Sequence, residues 1–230
     1  MKRRSLLLAV SCSTLLSACL SSPGQLAKTD IDRIADLHRR EVFASLARLA
    51  DKLYRRNPRE WKKGGHPSRE AALAKLTDPQ RLGRSPEPEG RRGTALILAG
   101  LREDYAHDRV AAFIGGLNTM LFDAFDGKTE FFILDDLDAQ RLYNAARNVE
   151  IAAWKLANAR RSQPEGELPA GTPLLLSNEM GPIQNLSFER EFGRLIGSLD
   201  LLSQIVADKS NRTVVKVVHS LATAVFLPVK

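Results

Sequence analysis

The chain has 230 residues, 34 Lys/Arg against 27 Asp/Glu, a formal net charge of +7 and 43% hydrophobic side chains. That length suffices for one hydrophobic core or at most two small ones. The two cysteines, Cys12 and Cys19, both fall near the N-terminus, and no internal repeat or low-complexity tract points to a repeat architecture.

In chain order, Lys2, Arg3 and Arg4 form a positive n-region, residues 6–16 a short apolar run, and Leu16-Ser17-Ala18-Cys19 brings small residues up to a cysteine. The layout is that of a secretory signal and is too short for a spanning helix. The tetrapeptide also resembles the lipobox of bacterial lipoproteins, over residues 1–22 only. In that family the cysteine is diacylated on sulfur, the signal is cut before it, and the new amine is acylated. The resemblance therefore implies a cleaved signal over 1–18, lipidation at Cys19, an acylated tether over 19–27 and a periplasmic place for residues 28–230, which the patterning below reads as one helical domain. Leu20, where aspartate would favour inner-membrane retention, implies release to the outer membrane of a Gram-negative bacterium, facing the periplasm. With Cys12 removed and Cys19 consumed, no thiol remains for a disulfide or a cysteine metal site. Three acyl chains exceed the two signals that stable anchoring needs. Residues 20–27 reach at most about 28 Å, so the body is expected close to the bilayer. The last apolar run, 214–227, carries Lys216 and His219 and is read as a core element.

The signal takes three positive charges with it, leaving +4 on the mature side chains. Residues 55–92 hold 11 Lys/Arg and five acids, and the rest of the mature chain sums to −2. The basicity is thus regional, centred on Arg55, Arg56, Arg59, Lys62 and Lys63. Without interleaved aromatics it offers no nucleic-acid platform, and in the periplasm anionic headgroups or wall polymer suit it better.

The mature chain reads as helices joined by Pro/Gly-rich connectors. Ile31, Ile34, Ala35, Val42, Leu46, Leu49, Ala50 and Leu53 predict an amphipathic helix over 28–56, ended by Pro58. Ser68 caps a short helix through Leu76, and residues 83–93 are a loop. Residues 93–125 are the most apolar long segment and predict a central helix, in which Gly115-Gly116 marks a kink or the close approach of a neighbour. Asp126-Gly127 breaks it, residues 129–134 are read as a brief extended turn, and Asp136 or Asp138 caps a helix to about Arg161. Residues 162–185 are a long connector anchored by Leu174-Leu175-Leu176. Phe188, Phe192, Leu195, Leu199, Leu202 and Val206 form a heptad-type stripe. A final helix is expected from Asn211 or Thr213 to just before Pro228, its Val-rich stretch lacking a strand's period of two. The fold class is all-α, a bundle of about five to six helices.

Chemistry is sparsely signalled. Glu103, Asp104 and His107 are the best metal candidates, because a helix would place them on one face, but a di-iron site needs a second carboxylate–histidine pair. Asp126-Gly127-Lys128-Thr129 lacks the upstream glycine of a phosphate loop. Asp123, Asp126, Asp135, Asp136 and Asp138 lack the calcium-loop spacing and are read as caps and turn residues. No nucleophile motif is present, and the acids Glu103, Glu130 and Glu150 are expected to be ion-paired, with Arg147 at hand. Tyr143, Asn144, Arg147, Asn148 and Trp154 line either a ligand or partner groove or a buried polar network fixing helix register. These features point to a non-catalytic envelope lipoprotein without a cofactor. It is held to the membrane through Cys19 and binds an envelope protein or organises envelope components. The alternatives are a carrier of an apolar or amphiphilic ligand between Phe113, Leu117, Phe122 and Trp154, and a wall-acting enzyme with two convergent acids.

Overall fold

A computed structural model describes residues 28–230 apart from positions 88, 134, 165, 167, 179–185, 218–219 and 230; the signal, Cys19 and the tether lie outside the described residues. Within them the chain forms seven α-helices, one 3₁₀ turn and no strand. Four helices make the bundle: α1 (Asp30–Arg56), α5 (Arg109–Ala124), α6 (Ala139–Asn158) and α7 (Ser187–Ser210). Three shorter ones, α2 (Pro58–Lys63), α3 (Arg69–Thr77) and α4 (Gly93–Gly100), connect or flank them.

Local chemistry sets the boundaries. Thr29 and Asp32 form a reciprocal capping box, with Asp32 N–H donating to Thr29 Oγ1 at 3.2 Å and Thr29 N–H to Asp32 Oδ2 at 2.7 Å. Asn57 ends α1 and clamps the long connector, donating from Nδ2 to Leu176 O (2.9 Å) and accepting Leu176 N–H at Oδ1 (2.7 Å). Ser68 caps α3 and Asp138 caps α6, each through its side-chain oxygen.

Four contacts fix the directions. His38 meets Ser198 (2.8 Å) and Arg48 meets Glu191 (2.9 Å), so α1 and α7 run antiparallel. Arg147 meets Asp200 (2.6 Å) and Ser203 Oγ donates to Ala139 O (2.7 Å), so α6 and α7 do too. The predicted stripes fill the core: Val42, Leu46, Leu49, Leu53, Leu142, Val149, Leu195, Leu199 and Leu202 are buried together with Phe113, Leu117 and Phe125.

Two expected helices are corrected. The segment 93–125 is two helices, broken over residues 101–108. Asp108 caps α5, accepting Ala111 N–H at 2.9 Å, and buried Glu60 accepts Arg109 N–H at 2.7 Å. The Arg109 side chain is itself buried and donates to the carbonyls of Gly100 (2.9 Å), Arg102 and Glu103 (2.8 Å), so it supplies the bonds that a continued helix would have supplied. The glycine pair is explained by close approach: Gly116 faces the α4 backbone at Gly93 and Ile97, while Gly115 faces Pro86.

The final helix does not form. Asn211, in the left-handed conformation (φ 50°), closes α7, and the described residues beyond it are irregular apart from a turn at 221–223. Crowded β-branched residues lower helix propensity, and side chains of α6 bond the backbone that a helix would otherwise bond internally.

Candidate functional site

Two places gather the residues singled out by the sequence, and a third group is dispersed. The first is a cleft of about 550 Å³ where the end of α1, α2 and the connector after α6 meet. The connector folds back on itself, with Arg161 N–H on Thr172 O (2.9 Å) and Leu174 N–H on Ala159 O (3.0 Å), and Asn57 holds Leu176 beneath it. Cations on the described lining are Arg56, Arg59, Lys63 and Arg161, against one carboxylate, Glu60. Glu60 caps Arg109 and lies 3.4 Å from Lys63 Nζ, so its charge is directed inward. Pro58, Leu168, Pro173, Leu174 and Leu176 add an apolar wall.

The cleft thus collects three of the five basic candidates. Arg55 pairs with Asp51 (2.9 Å) and Lys62 lies over the Trp61 ring (5.4 Å), both outside its lining. Further along, Arg69 meets Asp51 and Glu70, Arg91 meets Glu87 and Glu89, and Arg92 meets Asp123. Local pairing therefore offsets much of the basic stretch on the surface. Arg161 escaped the sequence reading; the only signal for it was the unusual length of the connector beside it.

The second place is one face of α6. Gln140, Asn144 and Asn148 stand one turn apart, and the chain's own C-terminal segment lies on them. Gln140 accepts Val215 N–H (2.8 Å) and donates to Val215 O (3.1 Å). Tyr143 Oη accepts Val217 N–H (3.0 Å). Asn148 accepts Leu227 N–H (2.7 Å) and donates to Leu227 O (2.8 Å), while Asn144 donates to Pro228 O (2.7 Å). Beside Tyr143, Asn144 and Asn148 this face is therefore met by the backbone of Val215, Val217, Leu227 and Pro228. Every one of these bonds is to backbone, so the face recognises an extended chain and not particular side chains. The two remaining residues of that expectation do other work. Arg147 joins α6 to α7 through Asp200 and meets Glu150 (3.0 Å), and Trp154 is half-buried beyond the segment with its carbonyl taken by Asn158.

The metal candidates are not brought together as a site. With residues 101–108 out of helix, the Glu103 carboxylate accepts Ser162 N–H (2.8 Å), and the hydrogen bonds from Ser162 hold it below the usual carboxylate range. Asp104 pairs with Arg102 (2.6 Å), and His107 packs edge-on to Tyr105 (5.6 Å). Among the described residues no group of three metal-ligating side chains converges. Glu130 pairs with Lys28 (3.3 Å). Phe113 and Leu117 are packed in the core, with Phe113 edge-to-face on Phe192 (6.5 Å). Phe122 covers Gly83. A pocket of about 270 Å³ at the other end of the bundle is lined by Asp32, Asp135, Asp136, Lys209 and Arg212 among others; Asp135 there is held by Lys128 (2.7 Å).

No known protein family, curated protein or solved structure matches the chain.

Proposed function

We propose that the chain is a lipid-anchored envelope protein whose helical body is a non-catalytic binding module, with the cationic cleft as its working face. The lipobox-like Leu16-Ser17-Ala18-Cys19 supports the anchor. The observation that carries the working face is polarity. Lys28 lies at the start of α1 and the cleft at its far end, a 27-residue helix away, or about 40 Å at 1.5 Å per residue. A body standing on its tether directs the cleft away from the anchoring bilayer. Its partner is then an anionic wall polymer or envelope protein, and the headgroups of its own membrane are reached only by a body lying on its side.

A second reading has its own support. The cleft is of small-molecule size, and its apolar wall beside a cationic rim suits an amphiphilic anion. In-cell cross-linking of the intact protein tests the first reading, comparing wild type with Arg59→Glu/Lys63→Glu. Loss of an acidic partner with unchanged membrane fractionation is expected, and undiminished capture by the variant removes the cleft from the function. Native mass spectrometry of the purified lipoprotein, read for a small acidic adduct, decides for the second reading.

A further inference from the structure

At the end of the bundle opposite the cleft, a small apolar surface stands beside Lys28, where the described chain begins. Phe131 is buried, its N–H donating to Asp36 Oδ1 (3.0 Å), but the next two residues turn outward: Phe132 keeps 36% and Ile133 59% of its surface exposed. A turn holds them out. Asp135 Oδ2 accepts Phe132 N–H (2.9 Å), Phe132 O accepts Asp135 N–H (2.8 Å), and Lys128 ties the same carboxylate (2.7 Å). The backbone of Phe132 is thus satisfied within the loop, as entry into an apolar medium requires. Lys28 Nζ pairs with Asp36 (2.5 Å) and lies over the Phe132 ring (4.8 Å). Phe131 and Asp135, on either side of the outward pair, also line the pocket of about 270 Å³ whose other wall carries Lys209 and Arg212. Of the acids on that lining, Asp32 is committed to the α1 capping box and Asp135 to Lys128, which leaves Asp136 against the two cations.

We propose that Phe132 and Ile133 are the foot of the body: they enter the headgroup–acyl boundary of the anchoring bilayer, with Lys209 and Arg212 at the level of its phosphates. This rests on the lipid-anchored reading of Cys19 and adds which surface meets the lipid. The tether selects the occupant. Residues 20–27 reach at most about 28 Å, so Lys28, and with it the ring that its ammonium covers, stays within that distance of the membrane. There an exposed apolar pair meets lipid at an effective concentration that no soluble partner matches. The flanking chemistry agrees, because interfacial insertion buries apolar side chains and leaves neighbouring cations among the phosphates. The same footing holds α1 upright and so keeps the cleft on the far side of the body.

Depth-dependent quenching tests it on the purified lipoprotein. With Cys12 removed and Cys19 acylated, an introduced cysteine is the only free thiol. Ile133→Cys, Asp30→Cys and Lys62→Cys each carry an environment-sensitive fluorophore. Asp30 lies at the same end with its side chain 95% exposed, and Lys62 lies at the far end. The proteins are reconstituted into vesicles of phosphatidylethanolamine and phosphatidylglycerol, with and without bromine on the acyl chains. The probe at 133, about 5–10 Å below the headgroup surface, should be quenched at least roughly threefold more than either control. Phe132→Asp places a charge at that boundary and should return the probe at 133 to the level of the controls. Equal quenching at 133 and 30 would reduce the effect to tether length and overturns the proposal. So does full quenching in Phe132→Asp, which would show the fluorophore itself driving insertion. A blue-shifted but unquenched probe at 133 would mean that protein covers the loop, with the same result. The parent protein separates this from the anchor reading. If it takes up label or fails to float with vesicles, the anchor reading falls and the footing with it; if it floats unlabelled while the probe at 133 stays unquenched, only the footing falls.

Discussion

Replacing Gly116 with alanine tests the close approach of α4 and α5 at one atom. A Cβ there would lie 2.6 Å from Ile97 Cγ1, 2.8 Å from Gly93 O and 2.9 Å from Ile97 N. Two of these are backbone atoms, and α4 is further held by Gly93 N–H donating to Thr119 Oγ1 (2.7 Å), so the contact cannot be relieved by a rotamer change. Overpacking of this kind costs about 1–3 kcal/mol, while alanine's helix propensity returns about 1 kcal/mol. The expected net loss is up to about 2 kcal/mol, which for a chain of this size lowers the melting temperature by up to about 8 °C. Gly197 in α7 is the matched control, because it is exposed and an added Cβ meets nothing within 4 Å. Gly197→Ala should gain about 1 kcal/mol and melt about 2–4 °C higher. Thermal unfolding followed by circular dichroism compares the two. If Gly116→Ala melted at or above Gly197→Ala, α4 would not lie against α5 as described.

Asn148→Ala should strand both backbone groups of Leu227, costing about 1–3 kcal/mol, and expose residues 220–229 to protease; unchanged cleavage would mean that the α6 face does not hold the segment. Burial pushes the Asp108 carboxyl above its ordinary value of 3.8. Its folded-state pKa is the higher one, so its stability contribution is full below 3.8 and is lost as pH rises through the raised value. Asp108→Asn keeps a capping oxygen without the charge and should therefore gain on wild type between acid and neutral pH. Urea midpoints at the two pH values check this, and a constant difference contradicts it. Cys19→Ser should release the protein from the membrane fraction and abolish labelled-palmitate incorporation; unchanged fractionation would end the lipoprotein reading.

The sequence revealed helices wherever one face alone decided burial. The stripe from Val42 to Leu53 and the spacing from Phe188 to Val206 needed no tertiary information, and Ser68 and Asp138 marked starts through their own side chains. The break at 101–108 was hidden because its cause is remote: Glu60, almost fifty residues earlier, caps Arg109. The C-terminal segment was misread for a similar reason. Its valines fit no helix well, yet only the amides of Gln140, Asn144 and Asn148 explain how an irregular backbone there is satisfied. Asn144 and Asn148 stood out as polar residues on an apolar helix, but nothing in the sequence showed that their partner is the backbone of Leu227 and Pro228. Of the basic residues, periodicity could not tell Arg59 and Lys63, which meet the connector across the cleft, from Arg55, which Asp51 neutralises.

The antiparallel pairing of α1 with α7 has a kinetic consequence. Their contacts, His38 to Ser198 and Arg48 to Glu191, span 160 and 143 residues, so the first bundle helix to be synthesised meets α7 only when almost the whole chain has followed. The α4–α5 hairpin closes over far shorter loops, and Arg109 locks it through carbonyls no more than nine residues away. Short closures come first and distant ones late, so the face of α1 that α7 covers should wait uncovered while the hairpin is already formed. Pulse-labelled hydrogen exchange during refolding would then find α5 amides protected before those of α1. Simultaneous protection would instead mean that the two ends of the chain meet in the first collapse.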